Sequence, residues 1–280
     1  MLEEEIELRR RIAALGRRRA ALPLGGEAMT DHEFEDSSRT AKTVRLYRDA
    51  ALVTALAAVA ALCWVLSVHR MQGMDMGPGT DPGALSWFLP TWVIMMAAMM
   101  FPSALPAVVS FERARRERAP IARGIVFAAG YLAVWTAFGA GAFVVYRGVL
   151  NAHPGLLDWD SGGRYLIAAT ALAAGLYELT PIKRACLERC RTVRHDGHPL
   201  HAALRHGADC VGCSVALMVL LLVIGVMSIT WMAVIAAILL VEKVASAGPE
   251  AVRVSALALV ALGAWIAIDP GSAPGLTIPV

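Results

Sequence analysis

Four long runs of the chain contain no Asp, Glu, Lys or Arg, and they restrict the fold more than any other feature. They cover residues 50–68, 85–111, 124–146 and 210–241. Charge-free apolar segments of about 18 or more residues are typical of transmembrane helices. The whole chain is 57% hydrophobic and only 18% charged. These values disfavour a soluble enzyme, a disordered protein and a secreted disulfide scaffold. A nucleic-acid-binding protein is disfavoured too, because the basic residues do not gather in one soluble domain.

The runs predict an all-α polytopic bundle of seven transmembrane helices. The predicted spans are residues 50–68, 85–109, 124–146, 165–182, 210–226, 229–244 and 252–268. As one helix, the run 210–241 would be about 48 Å long, whereas the hydrocarbon core of a bilayer is about 30 Å thick. We therefore expect a break at residues 225–228, and without it the bundle would have six spans. Residues 1–49 and 269–280 are expected to be tails of this single domain.

The positions of Lys and Arg predict the orientation. With seven alternating spans, 23 of the 26 Lys and Arg residues fall on the side of the N-terminus and 3 on the other side. Because positive residues accumulate in cytoplasmic loops, we expect a cytoplasmic N-terminus, in a bacterial inner membrane. Residues 1–28 form a charged amphipathic segment, and Met29 is an alternative start of the chain.

The segment after the first predicted span is rich in methionine. His69, Met71, Met74 and Met76 lie in a stretch that also contains Gly and Pro, which predicts an outer loop. Thioethers bind soft ions such as Cu(I) and hold Mg²⁺, Ca²⁺ or Zn²⁺ poorly. The loop therefore indicates copper capture by three sulfurs and a histidine. The alternative is an interfacial loop whose methionines contact lipid.

The second predicted span contains four methionines in six positions, Met95, Met96, Met99 and Met100. In a helix, residues four apart share a face, so these side chains form two adjacent thioether pairs. The pairs predict stepping sites for a soft cation within the membrane. Methionine is also a good apolar helix former, so helix packing is the competing interpretation.

Two cysteine pairs lie near the predicted cytoplasmic face. Cys186 and Cys190 are four residues apart, and Cys210 and Cys213 follow after 19 intervening residues. Disulfides are disfavoured on this side of the membrane. We expect a soft-metal site, with His206 as a further ligand. A structural zinc site and a thiol–disulfide redox pair are the alternatives.

Local signals place these cysteines on helices. Thr180 and Pro181 are typical of an N-cap followed by the first residue of a short helix. Asp209 is expected to cap the next helix, which would put Cys210 and Cys213 in its first turn. The positive end of a helix dipole favours thiolates there.

Glu178 is a carboxylate at membrane depth in the fourth predicted span. Such a group is costly unless it is paired or hydrated. Lys183 or Lys243 could pair with it in a structural role. The alternative is that Glu178 binds the metal or carries a proton.

Together these segments resemble a family of predicted metal-binding integral membrane proteins that is often labelled as copper chaperones. The resemblance covers roughly residues 45–270. Its motifs are MMAAMMFPS at 95–103, LTPIKRAC at 179–186, CR at 190–191, HG at 206–207, CVGC at 210–213, LM at 217–218, GVM at 225–227, WMA at 231–233 and EK at 242–243. The family pattern has Cys and Trp where this chain has Ser214 and Val215, so no ligand is expected at position 214. The resemblance implies a polytopic membrane protein that binds metal.

We therefore expect an integral membrane protein that handles Cu(I) as a chaperone, insertion factor or importer, rather than an enzyme. Copper would enter at the methionine loop, pass the methionines of the second span and reach the cysteines. No nucleotide-binding P-loop pattern is present in the sequence, which disfavours a self-powered pump. The expected partners are the metal ion, the lipid bilayer and a membrane cuproprotein or periplasmic copper protein, with no nucleic acid. The competing functions are a membrane thiol–disulfide oxidoreductase and a metal-free structural subunit of a membrane complex.

Overall fold

The computed structural model of the protein describes residues 31–72, 81–113, 120–153, 162–192, 198–225, 228–245 and 248–269. Every regular element in these ranges is helical, which confirms the predicted all-α class. The helices of the described ranges are α1 Asp31–Met71, α2 Leu85–Arg113, α3 Pro120–Ala152, α4 Arg164–Glu178, α5 Pro181–Arg191, α6 Pro199–Gly225, α7 Ile229–Val244 and α8 Gly248–Ile268. Backbone contacts divide the chain into the units Met1–Ala50 and Ala51–Val280. The contacts described below lie in the second unit.

Within the described ranges, five helical segments are long and apolar enough to cross a membrane. They are Asp49–Met71, Leu85–Ser110, Arg123–Ala152, Pro199–Gly225 and Pro249–Ile268. The helices α4 and α5, which meet at 65°, add a sixth if the pair forms one broken span. The predicted count of seven is not confirmed, because α7 has only 16 residues and would extend only about 24 Å. The cytoplasmic orientation of the N-terminus stays a prediction.

The predicted break in the run 210–241 is present. Helix α6 ends at Gly225, whose φ of 141° is a backbone conformation that residues other than glycine rarely adopt. Helix α7 begins at Ile229, after Ser228 accepts a hydrogen bond from the backbone N–H of Trp231 as an N-cap. These two signals stop one helix and start the next within a strongly apolar sequence.

The fourth predicted span, 165–182, was wrong at its end. Helix α4 ends at Glu178, and a separate helix α5 starts at Pro181. Thr180 accepts a hydrogen bond from the backbone N–H of Lys183, as the N-cap prediction requires. The cap and the proline therefore turn the chain by 65° at this point.

Helices α4 and α8 pack closely through glycines. A Cβ atom added to Gly175 would lie 2.8 Å from the carbonyl oxygen of Ala256 on α8, and one added to Gly263 would lie 2.8 Å from that of Ala168 on α4. Neither separation leaves room for a methyl group, so the two backbones approach each other directly. Small residues at such contacts are typical of helix pairs in membranes.

Helix α6 holds the central position among the cysteine-bearing elements, since it packs against α3, α4, α5 and α7. Helix α2 packs against α3 and α7. The indole N–H of Trp92 on α2 donates to the carbonyl oxygen of Trp135 on α3 at 2.9 Å, which fixes these two helices to each other within the core. The methionines of α2 and the cysteines of α6 belong to one buried cluster.

Candidate metal centre

Three cysteine sulfurs converge between α5 and α6. The Sγ atoms of Cys190, Cys210 and Cys213 all lie within 4.8 Å of one another. The three residues are buried, with at most 7% of each exposed. We refer to this group as the sulfur centre.

Helical spacing, one contact between α4 and α6 and one contact between α5 and α6 explain this convergence. Cys210 and Cys213 are three residues apart on α6 and therefore share a face. The hydroxyl of Tyr177 donates to the carbonyl oxygen of Gly212 at 2.6 Å, and Arg189 Nε lies 2.7 Å from Asp209 Oδ1. These contacts hold the end of α4 and the C-terminal part of α5 against α6.

Cys186, which belongs to the same predicted set, lies outside the group of three. Its Sγ packs against Gly212, where an added Cβ would be only 2.7 Å away. The guanidinium of Arg189 also donates to this sulfur at 3.3 Å. Cys186 thus lies beside the sulfur centre on the same helix as Cys190, and its role as a ligand stays a prediction.

A lysine lies directly beside the sulfur centre. Lys243 Nζ is 3.0 Å from Cys210 Sγ and 3.8 Å from Met100 Sδ. The separation of Cys210 Sγ and Met100 Sδ therefore cannot exceed the sum of these two distances. Lys243 is 7% exposed, so its ammonium is a buried positive charge next to atoms that become negative when they bind a metal.

Two ring side chains, those of Tyr131 and His206, lie near Cys210. The hydroxyl of Tyr131 on α3 lies 3.0 Å from Cys210 Sγ, and either atom can be the donor. The ring centroid of His206 lies 5.7 Å from that of Tyr131. His206 is 5% exposed, and its Nε2 has no hydrogen-bond partner among the described residues. The histidine is therefore close to the sulfur centre, although a ligand role stays a prediction.

Glu178 forms part of a buried ion-pair network. Lys183 Nζ lies 2.5 Å from Glu178 Oε2 and 2.8 Å from Glu242 Oε2. Ser255 Oγ donates to the other oxygen of Glu242 at 2.6 Å. All three charged side chains are at most 1% exposed. Of the two lysines considered as partners of Glu178, Lys183 is the one that pairs with it.

The four methionines of α2 are all buried, and at most 1% of each is exposed: Met95, Met96, Met99 and Met100. Met100 contacts the ammonium of Lys243, which in turn contacts Cys210 of the sulfur centre. Packing and cation passage both require buried thioethers, so the structure leaves both interpretations of this cluster in place.

The predicted methionine loop starts later than expected. Helix α1 continues to Met71, so His69 and Met71 are helical rather than part of a loop. Met71 is fully buried, which corrects the expectation that it is exposed, whereas His69 is exposed. Met74 and Met76 lie outside the described residues. The copper-capture role of these four residues stays a prediction.

The prediction that Cys210 and Cys213 lie in the first turn of their helix was wrong. Helix α6 begins at Pro199, so Cys210 lies three turns inside it, and Asp209 pairs with Arg189 instead of capping the helix. The dipole of a helix N-terminus acts only within the first turn, so it does not reach these thiols. The positive charge that lies next to Cys210 is instead the buried ammonium of Lys243.

Sequence reasoning missed Tyr131 and considered Lys243 only as one of two possible partners of Glu178. The sequence does carry a signal for Lys243, because a lysine two residues after the run 210–241 is costly near a membrane unless it has a partner. Tyr131 carries no such signal, since a tyrosine within an apolar helix is ordinary.

This donor set favours a soft metal. Thiolates bind Cu(I), zinc and iron–sulfur clusters, and they do not favour hard ions such as Mg²⁺. The PpoB2 family, described as a copper chaperone, matches residues 89–266. The chain belongs to this copper chaperone family. The predicted family resemblance is thereby confirmed.

The match to the copper chaperone family includes every residue of the sulfur centre, as well as Met100 and Lys243. Comparison with curated proteins gave no match, and comparison with solved structures gave none either. Family membership and the cysteine cluster together indicate metal binding.

Proposed function

We propose that this protein is a membrane-embedded chaperone that binds Cu(I) at the sulfur centre and passes it on, rather than an enzyme. The observation that carries the proposal is the convergence of Cys190, Cys210 and Cys213 to within 4.8 Å. Two thiolates that each bind one ion at about 2.3 Å are at most about 4.6 Å apart. Only small movements of the three side chains are therefore needed to close around one ion.

The number of converging thiols favours Cu(I) over zinc. Structural zinc sites are almost always tetrahedral with four protein ligands, whereas three cysteines converge here and the ammonium of Lys243 adjoins them. Three thiolates would carry two negative charges with Cu(I) and one with Zn²⁺, so one neighbouring positive charge offsets the first in part and the second in full. A buried charge of this kind is costly without a partner, and Lys243 supplies a positive charge 3.0 Å from Cys210.

The methionines of α2 form the proposed approach route. Met95, Met96, Met99 and Met100 are buried, and Met100 and Cys210 both contact the ammonium of Lys243. We propose that copper passes from the segment containing Met71, Met74 and Met76 to these thioethers and then to the thiols. Ligand softness rises along this route, so transfer in this direction is favourable.

We place the chaperone in a membrane, and specifically in the bacterial inner membrane. Large apolar side chains are exposed on the candidate spans, among them Val145 at 67% and Leu257 at 70%. Apolar surfaces of this kind mark contact with lipid or a partner. The copper would be delivered to a membrane cuproprotein or a periplasmic copper protein.

The test is a Cu(I) titration of the purified, reduced full chain against a colorimetric Cu(I) chelator. We expect about one tightly bound Cu(I) per chain, and a strong loss of affinity in Cys190→Ser, Cys210→Ser and Cys213→Ser. Cys63→Ser is the matched control, because Cys63 lies alone on α1 and should leave binding unchanged. Equal affinity of wild type and all three variants would refute the proposed site.

A zinc titration and a redox titration in the same preparation separate the competing functions. Tight Zn²⁺ binding without Cu(I) binding would indicate a structural zinc site. A reversible two-electron oxidation of the thiols without metal binding would indicate a thiol–disulfide oxidoreductase. Neither signal would indicate a metal-free subunit. Burial of the three cysteines argues against the redox function, since reactive thiols are usually partly exposed.

A further inference from the structure

A basic cleft lies between α5 and α8, and none of its lining residues belongs to the sulfur centre. Its volume is about 210 Å³, on the order of ten times the space that one water molecule needs. Three guanidinium groups and several apolar side chains line it: Arg184, Arg191, Arg253, Leu179, Leu187 and Val252. The cleft therefore combines positive charge with an apolar wall.

The charges of the cleft favour an anion. The lining contains three arginines and a single carboxylate, that of Glu188. Arg191 is held in place, because its Nε donates to the carbonyl oxygen of Glu242 at 3.1 Å and its Nη2 to that of Ala245 at 3.1 Å. Arg184 and Arg253 are exposed side chains at the cleft.

The cleft also lies at the end of a candidate membrane span. Val252 and Arg253 belong to the first turns of the span Pro249–Ile268. The N-terminal end of this helix adds a partial positive charge. Further along α8, Val254 and Leu257 are 66% and 70% exposed, so an apolar surface continues from the cleft along the helix. An ion with no apolar part would use the arginines but not this surface.

We propose that the cleft binds the phosphodiester headgroup of an anionic phospholipid, with an acyl chain along the exposed side of α8. Arginine pairs with phosphate oxygens through two parallel hydrogen bonds. Basic pockets between helices at a membrane surface bind anionic headgroups by this chemistry. The cleft takes no part in the proposed copper site, so either proposal can fail without the other.

The test is native mass spectrometry of the full chain in a neutral detergent, with added phosphatidylglycerol or phosphatidylcholine of identical acyl chains. We expect phosphatidylglycerol to be retained preferentially. The double variant Arg184→Gln, Arg253→Gln should weaken its retention about 30-fold. Arg205→Gln, which removes an exposed arginine outside the cleft lining, should leave retention unchanged.

A second variant gives an effect of opposite sign. Glu188→Gln removes the negative charge of the cleft and should strengthen retention of phosphatidylglycerol. Equal retention of the two lipids, or no response to either cleft variant, would overturn the proposal. Displacement of phosphatidylglycerol by inorganic phosphate, with the same dependence on the arginines, would overturn the lipid assignment in favour of a free phosphate site. Cu(I) binding, measured in parallel, should be equal in the double variant and wild type.

Discussion

Replacement of Lys243 by methionine should weaken Cu(I) binding strongly, because the lysine is the positive charge closest to the sulfur centre. At the observed 3.0 Å from Cys210 Sγ, an ammonium and a thiolate attract each other by about 5 kcal/mol if the effective dielectric constant is about 20. The desolvation of the lysine offsets part of this attraction. If about half remains, Lys243→Met should reduce Cu(I) affinity about 100-fold.

The assay is the same chelator competition, with Lys243→Arg as the matched control. Arginine keeps the positive charge, so this variant should stay much closer to wild type than Lys243→Met. Tryptophan fluorescence checks that both variants are folded. Unchanged affinity in Lys243→Met would refute the charge-balance argument. An equal loss in both variants would show that shape, and not charge, is what Lys243 contributes.

Two further predictions concern stability, measured as thermal or denaturant unfolding in detergent. Lys183→Met should lower the free energy of unfolding by about 3–5 kcal/mol, because it leaves Glu178 and Glu242 as unpaired buried carboxylates. The triple variant that adds Glu178→Gln and Glu242→Gln should recover most of this loss, and no recovery would contradict the ion-pair explanation. Gly175→Ala should cost about 1–3 kcal/mol, since its Cβ would lie 2.8 Å from a backbone oxygen. Gly141→Ala, with nothing within 4 Å of the added Cβ, should instead be neutral or stabilising by up to about 1 kcal/mol, and the opposite order of the two would refute the packing argument.

The sequence predicted those parts of the fold that depend on local signals. Charge-free runs identified the long helices, Thr180 with Pro181 marked the start of α5, and Gly225 with Ser228 marked the break after α6. Asp209 misled because an acidic residue before an apolar run is equally typical of an N-cap and of a side chain that pairs across to another helix. Only the position of α5, which brings Arg189 to Asp209, decides between the two.

The composition of the candidate site was predictable, but its geometry was not. The spacing of the cysteines says that Cys210 and Cys213 share a face, whereas the packing of α5 on α6 decides that Cys190 joins them and that Cys186 lies beside them. Tyr131 contacts Cys210 although it lies 79 positions earlier in the chain. No local pattern encodes a contact of that range, because it depends on the relative position of whole helices.

The neighbouring residues Glu242 and Lys243 link the ion-pair network to the sulfur centre, and this link leads to a last prediction. Glu242 pairs with Lys183, while Lys243 contacts Cys210. Without Lys183, the unpaired carboxylate of Glu242 should compete with Cys210 for the ammonium of Lys243. The folded fraction of Lys183→Met should therefore bind Cu(I) more weakly than wild type in the chelator competition, although Lys183 does not belong to the sulfur centre.

The triple variant, which carries Lys183→Met together with Glu178→Gln and Glu242→Gln, tests whether that link is electrostatic. It removes both carboxylates, so Lys243 keeps Cys210 as its partner, and Cu(I) affinity should return toward the wild-type value together with stability. If Lys183→Met lowers stability but leaves Cu(I) affinity unchanged, the two groups are independent, and the adjacency of Glu242 and Lys243 has no effect on the metal centre. If affinity falls and the triple variant does not restore it, then a displacement of α7 explains the loss better than competition for the ammonium.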